Sequence, residues 1–177
     1  MTGTSPERVL DGVNLELKAR VDDPAALRER VRGTGAALQG TEEQVDRYFR
    51  VPAGRLKLRE STLDGAHLIF YVRPEDGPVR RARFHRLPVE AAEPLAETLS
   101  AMLGAESVVE KTREVWWHDD VRIHLDRVAG LGDFLELEAR VDRIGSRAEA
   151  AARLERLVLD LAVRPADVLG GSYGEMA

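Results

Sequence analysis

The sequence predicts an α+β fold in which about eight antiparallel strands carry amphipathic helices on their apolar side. Three observations predict it. Apolar and charged residues alternate strictly over several short segments, the period of two expected of a strand with one buried and one polar face. Turn-forming clusters separate those segments by only a few residues, which suits hairpins rather than parallel crossovers. Three longer segments repeat their apolar residues at helical spacing instead.

The first strand is Val13–Val21, where every odd residue is apolar and every even one (Asn14, Glu16, Lys18, Arg20) is polar. Asp23-Pro24 then supplies a capping carboxylate and a first-turn proline for a helix that stops at Gly33-Thr34-Gly35. Strands follow at Val45–Val51, Arg55–Arg59, Leu68–Arg73 and Val79–Arg86, with turns at Leu63-Asp64-Gly65 and Pro74–Pro78. Val89–Leu103 places Leu95, Leu99, Met102 and Leu103 along one stripe, with Gly104 as the stop. Three more strands, Val108–Trp117, Val121–Asp126 and Phe134–Arg140, are joined at Asp119-Asp120 and at Gly130-Leu131-Gly132. Ser146 opens the last helix, whose stripe is Leu154, Leu157 and Leu161, before Arg164-Pro165 breaks it. No linker interrupts this order, so residues 13–173 read as one domain behind a loose N-terminal tail, residues 1–12.

Composition narrows the chemistry. The chain of 177 residues is 44% apolar, enough for a core and too much for a disordered chain. It has no cysteine, which removes disulfides, thiolate metal sites and thiol nucleophiles. No apolar run reaches the ~20 residues that span a bilayer, and Met1–Gly12 lacks the order of a signal peptide; the expected location is the cytoplasm. The net charge of −5 speaks against general nucleic-acid binding, but residues 47–86 hold ten Arg and Lys against four acids. A cationic segment inside an acidic chain points to a contained anion site or to a solvated basic face.

Two arrangements satisfy the alternation. An open sheet would leave its charged face in water. A closed barrel covered by helices would instead turn the charged faces toward one another. The polar positions are almost all Arg, Lys, Glu and Asp rather than Ser, Thr or Gln, which favours the second. An interior of unpaired cations is costly, so a barrel of this kind should hold an anion and a cation together, a polyphosphate with a divalent metal.

Four stretches, in order, carry a resemblance to a known family. Asn14-Leu15-Glu16-Leu17-Lys18 resembles the Glu-x-Glu-x-Lys signature of the CYTH superfamily, the triphosphate tunnel metalloenzymes. Gly54–Glu60, Glu110–Arg113 and Leu125–Glu138 are similar to its later motifs, and Ser172-Tyr173 to its ending. Gly130–Phe134 is closest to the class IV adenylyl cyclase-like branch. The resemblance implies a closed eight-stranded antiparallel β-barrel with helices packed outside. It implies Mg²⁺ or Mn²⁺ held by Glu16, Glu136 and Glu138, with Asp126 as a further candidate. Lys18, Arg55, Lys57, Arg59, Arg73, Lys111 and Arg113 would grip a triphosphate, with Arg81 and Arg83 on the same footing. Glu16, Lys18 and Arg113 would be catalytic.

Implied chemistry is conversion of ATP to cyclic AMP and pyrophosphate. The alternatives are hydrolysis of thiamine triphosphate, inorganic triphosphate or a nucleoside triphosphate, and a non-catalytic polyphosphate-binding module. The expected partner is the small-molecule triphosphate, without nucleic acid or membrane, and a homodimer is left open. One departure stands out: Asn14 replaces the first glutamate of the signature, which keeps an oxygen donor but removes a charge and a base. His124 alternates in phase with Asp126 and could line a tunnel, whereas His67 and His118 sit at turns. Trp116 and Trp117 must face opposite sides.

Overall fold

A computed structural model describes residues 12–72 and 79–176. The alternating segments become β1 (Gly12–Val21), β2 (Ala37–Phe49), β3 (Arg55–Ser61), β4 (Ala66–Val72), β5 (Arg80–Val89), β6 (Ala105–His118), β7 (Val121–Val128) and β8 (Gly132–Arg140). All pair antiparallel and close a barrel in the order β1-β5-β4-β3-β2-β6-β7-β8. Of the two arrangements open to the sequence, the charged-inside barrel is the one formed. Closure needs both neighbours of every strand satisfied, and β1 achieves it by pairing with β8 from Asn14 to Val21 and with β5 from Gly12 to Glu16.

The apolar core lies outside the barrel. Leu15, Leu17, Ile123, Leu135 and Leu137 point away from the axis and meet α1 (Pro24–Gly33), α3 (Val141–Ile144) and α4 (Arg147–Asp160) through Leu27, Val31, Ile144, Leu154 and Leu157. Each such fully buried side chain is worth about 1.5–3 kcal/mol. A second cluster, Phe49, Leu58 and Ala96, docks α2 (Ala92–Leu103) over β2 and β3. The caps are those expected: Asp23 accepts from the Ala26 amide at 3.0 Å, and Ser146 from the Glu149 amide at 3.1 Å.

Two boundaries differ most from expectation. Helix α2 begins at Ala92, because Val89 still pairs with Ala66 and belongs to β5. Strand β2 begins eight residues early, at Ala37, since the long β6 offers it a partner back to Trp117. Near the end of the chain, α5 (Tyr173–Met176) packs on the barrel through Tyr173, beside Tyr48, Val109 and Phe134. It approaches so closely that a Cβ on Gly174 would sit 3.0 Å from the Tyr48 ring. The expected tail, residues 1–11, lies outside the described residues, and Gly12 belongs to β1. No helix among the described residues is long and apolar enough to cross a membrane.

Candidate active site

Because side chains alternate along each strand, one phase of every strand faces the axis, and in most strands, though not in β4 and β5, it is the charged one. It surrounds an internal cavity of about 400 Å³, within the range of small-molecule sites. Among the described residues, nine Lys and Arg and five Asp and Glu line it, so its wall is an excess of cations. A wider surface hollow opens beside α1 and α4, but its Arg153 is already paired with Glu149 and Asp120. The enclosed charges make the barrel interior the candidate.

The interior has two halves. In the first, Arg113 on β6 lies between two carboxylates. Its Nε and Nη2 donate to Asp126 at 2.6 Å each, and Nη2 donates to Glu136 at 2.6 Å. The Tyr173 hydroxyl donates to the same Asp126 at 2.8 Å, and the Lys18 ammonium sits 3.4 Å from the Tyr173 ring centroid and 3.6 Å from Glu136. Burial alone would raise these acids. Arg113 outweighs it and brings Asp126 down to about 2, and Lys18 with Arg113 holds Glu136 well below the usual range.

In the second half, Asp46 on β2 is completely buried. It accepts from Lys57 at 2.9 Å, from Lys111 at 3.0 Å and from both Nε and Nη2 of Arg59 at 2.6 and 2.7 Å. Burial would raise its pKa, and Arg59, Lys111 and Lys57 together drive it well below normal. The cations feel the opposite pull. Burial lowers Lys111 to about 8 despite Asp46, and lowers Lys57 strongly, with Arg59 adding to the effect.

The sequence-derived residues do not all meet in one place. Glu16, Lys18, Lys57, Arg59, Lys111, Arg113, Glu136 and Glu138 all line the one cavity. Arg55 is inward in phase but lies toward an end, paired with Glu175 of α5. Arg73 lies outside the described residues.

Arg81 and Arg83 require correction: they are exposed and stand on the outer face, in register with Leu15 and Val13. The inward phase of β5 is Ala82, Phe84 and Arg86. The stretch Arg80–Arg83 carries arginine on both faces, so alternation could not mark the phase. Asp126 also plays a different part from the one expected, since both its oxygens are committed to Arg113 and Tyr173. Sequence reasoning missed Asp46 and Glu42, although Glu42-x-Gln44-x-Asp46-x-Tyr48 alternates; it also missed Arg86, Arg122 and Arg140.

A divalent ion fits one place. A ring nitrogen of His124 and carboxylate oxygens of Glu136 and Glu138 lie within 4.8 Å of one another. His124 is 3% exposed, and its Nδ1 lacks a hydrogen-bond partner, as does the buried Asn14 Oδ1 in the same cavity. Burial, reinforced by Arg113, lowers the imidazole pKa, which keeps a nitrogen lone pair available. Two carboxylates and a neutral imidazole suit Mn²⁺ and related ions, and the carboxylates alone suit Mg²⁺. Glu16 is directly opposite Glu138 on the neighbouring strand.

Comparison with known proteins agrees with the barrel fold. A family profile described as the CYTH domain matches residues 13–173. A Methanocaldococcus jannaschii protein with the provisional name adenylate cyclase is 24% identical over 174 residues, 93% of this chain and 98% of that protein. The fold is similar to that of a Pyrococcus horikoshii protein (24% identity, TM-score 0.83, covering 92% of this chain and 98% of the other). It is also similar to a Hippeastrum protein whose structure is described as a provisional adenylyl cyclase with a dominant triphosphatase activity. That pair shares 12% identity with a TM-score of 0.62, covering 91% of each chain.

Proposed function

The chain belongs to the CYTH domain family, and from that premise we propose that it is a divalent-metal-dependent enzyme that converts ATP to cyclic AMP and pyrophosphate. One observation carries the proposal: a single cavity joins a cation-rich half to a group of two carboxylates and an imidazole whose Nδ1 makes no hydrogen bond and stands 3.6 Å from Glu136. Polyphosphate chemistry needs both, because the chain brings several negative charges and the transition state adds charge on the leaving oxygens.

The roles follow from position. Lys57, Arg59 and Lys111 take the phosphates of the leaving group, while Lys18 and Arg113 stand between them and the acids. Glu136, Glu138 and His124 would hold the metal, with Glu16 beside them. The bound ion would draw charge from the phosphate oxygens and align them. Asp126 keeps Arg113 aimed, held in turn by Tyr173. Phe84 and Trp117 line the same cavity, with the guanidinium groups of Arg140 and Arg122 over their rings, and give that end an aromatic wall for a base. In cyclisation the ribose 3′ oxygen bonds to the α-phosphorus, its bond to the oxygen leading to the β-phosphate breaks, and the 3′ proton is released.

Hydrolysis of the terminal phosphate is the second reading. It is favoured by the Hippeastrum neighbour's described activity and by Asn14, which leaves one base fewer near the metal group than the family signature has.

Incubation with ATP and Mn²⁺ or Mg²⁺ separates the two readings. Cyclic AMP with stoichiometric pyrophosphate supports the first, and orthophosphate with ADP supports the second. Binding without turnover would leave a polyphosphate-binding module. Under the proposal, chelator abolishes turnover, and so does Lys18→Ala, with the far-ultraviolet circular dichroism unchanged. Wild-type turnover in Lys18→Ala would remove the site assignment.

A further inference from the structure

The two halves of the cavity differ in their charge balance. Around Arg113, one guanidinium faces two carboxylates, Asp126 and Glu136. Around Asp46, one carboxylate faces three cations, and none of the three reaches a second carboxylate among the described residues. Their remaining surfaces face aromatic rings instead. Lys57 lies 5.4 Å from the Tyr48 ring centroid and 5.8 Å from that of Tyr71, and Lys111 lies 5.2 Å from that of Tyr173.

Four nitrogen donors converging at 2.6–3.0 Å on one small planar anion are the donors that a phosphate group takes. A buried carboxylate in that place is paired well enough to be tolerated, yet three basic groups outnumber it, even with Asp126 acting on Lys111 from farther away. It also comes from the barrel's own wall.

We propose that Asp46 is a resident anion: in the ligand-free tunnel its carboxylate occupies one phosphate position, and an incoming polyphosphate reaches Lys57, Arg59 and Lys111 only by displacing or sharing it. This inference rests on the triphosphate reading above. Asp46 holds the empty barrel together at the expense of polyanion affinity. It thereby penalises the longer phosphate chains that extend into its half.

Titration of the full-length protein with sodium tripolyphosphate, without metal, tests this in the wild type and in Asp46→Asn. The amide is isosteric and uncharged. The variant is expected to unfold at a lower temperature when empty. It is expected to bind tripolyphosphate at least about tenfold more tightly, the scale of a close charge pair, and to gain more thermal stability from it than the wild type does. Equal or weaker binding by Asp46→Asn, with the wild type binding normally, overturns the inference and leaves the triphosphate reading standing. Failure of both proteins to bind, with Mn²⁺ as well as without it, overturns both. If Asp46→Asn does not fold, wild-type crystals soaked in tripolyphosphate decide. Phosphate oxygens within hydrogen-bond distance of two of the three cations support the inference, and a chain bound with all four Asp46 contacts intact overturns it.

Discussion

Replacement of Arg113 by methionine tests the charge network that organises the acidic half of the tunnel. The guanidinium makes three hydrogen bonds of 2.6 Å to two buried carboxylates and is itself 3% exposed. Methionine fills much of the same volume but abandons both acids. Glu136 retains Lys18 at 3.6 Å, whereas Asp126 retains only the Tyr173 hydroxyl among the hydrogen bonds to its side chain.

Removing one partner from a buried pair costs about 3–5 kcal/mol. The Asp126 shift sets a scale for part of that. A carboxyl lowered from 3.8 to about 2 corresponds to roughly 2 kcal/mol at 1.36 kcal/mol per pH unit.

The pH dependence is diagnostic. In the wild type a depressed acid stabilises the fold above its unfolded pKa, and that stability disappears as pH falls through about 4 to 2. In the variant, burial without Arg113 raises the Asp126 pKa above its unfolded value, so stability is lost as pH rises instead. The difference between the proteins should therefore be largest at neutral pH, shrink below about pH 4 and become small only below about pH 2. Urea unfolding followed by circular dichroism measures it. A loss of about 4 kcal/mol at neutral pH moves the midpoint by roughly 2 M if m is about 2 kcal/mol per molar. A difference below ~1 kcal/mol, or one that is constant between pH 4 and 7, would refute the reasoning.

Three other outcomes are expected. His124→Ala should weaken Mn²⁺ binding at least about tenfold by calorimetry, the usual scale for loss of a ligand or its support, and should remove nitrogen couplings from the Mn²⁺ pulsed electron paramagnetic resonance spectrum; an unchanged spectrum excludes imidazole ligation. Arg81→Ala and Arg83→Ala, which alter the outer face of β5, should keep wild-type kcat/KM for ATP, and a loss beyond about tenfold, ~1.4 kcal/mol, would reinstate them in the site. Tripolyphosphate binding near pH 8 should take up protons, because Lys111 titrates at about 8 and an adjacent anion raises its pKa. Calorimetry in buffers of different ionisation enthalpy reads that uptake once the protons released by tripolyphosphate itself are subtracted.

Much of this was legible along the chain. Strict alternation in Val13–Val21 and Phe134–Arg140 identified strands with one charged face, and the period of two placed Glu16, Lys18, Glu136 and Glu138 in one phase. Capping at Asp23 and Ser146 located two helix starts to the residue. These are local properties, set by side-chain direction and hydrogen bonding within a few positions of the residue concerned.

What only the tertiary structure decided is which charges meet. Asp46 and Lys111 are 65 residues apart and 3.0 Å from one another, brought together by the pairing of β2 with β6 and by closure of the barrel. The phase of Arg81 and Arg83 was likewise undetermined until β5 paired with β1, since arginines on both faces erase the local pattern. Coulombic partnership depends on distance through space, and a linear pattern of charge does not encode that distance until the strands have neighbours.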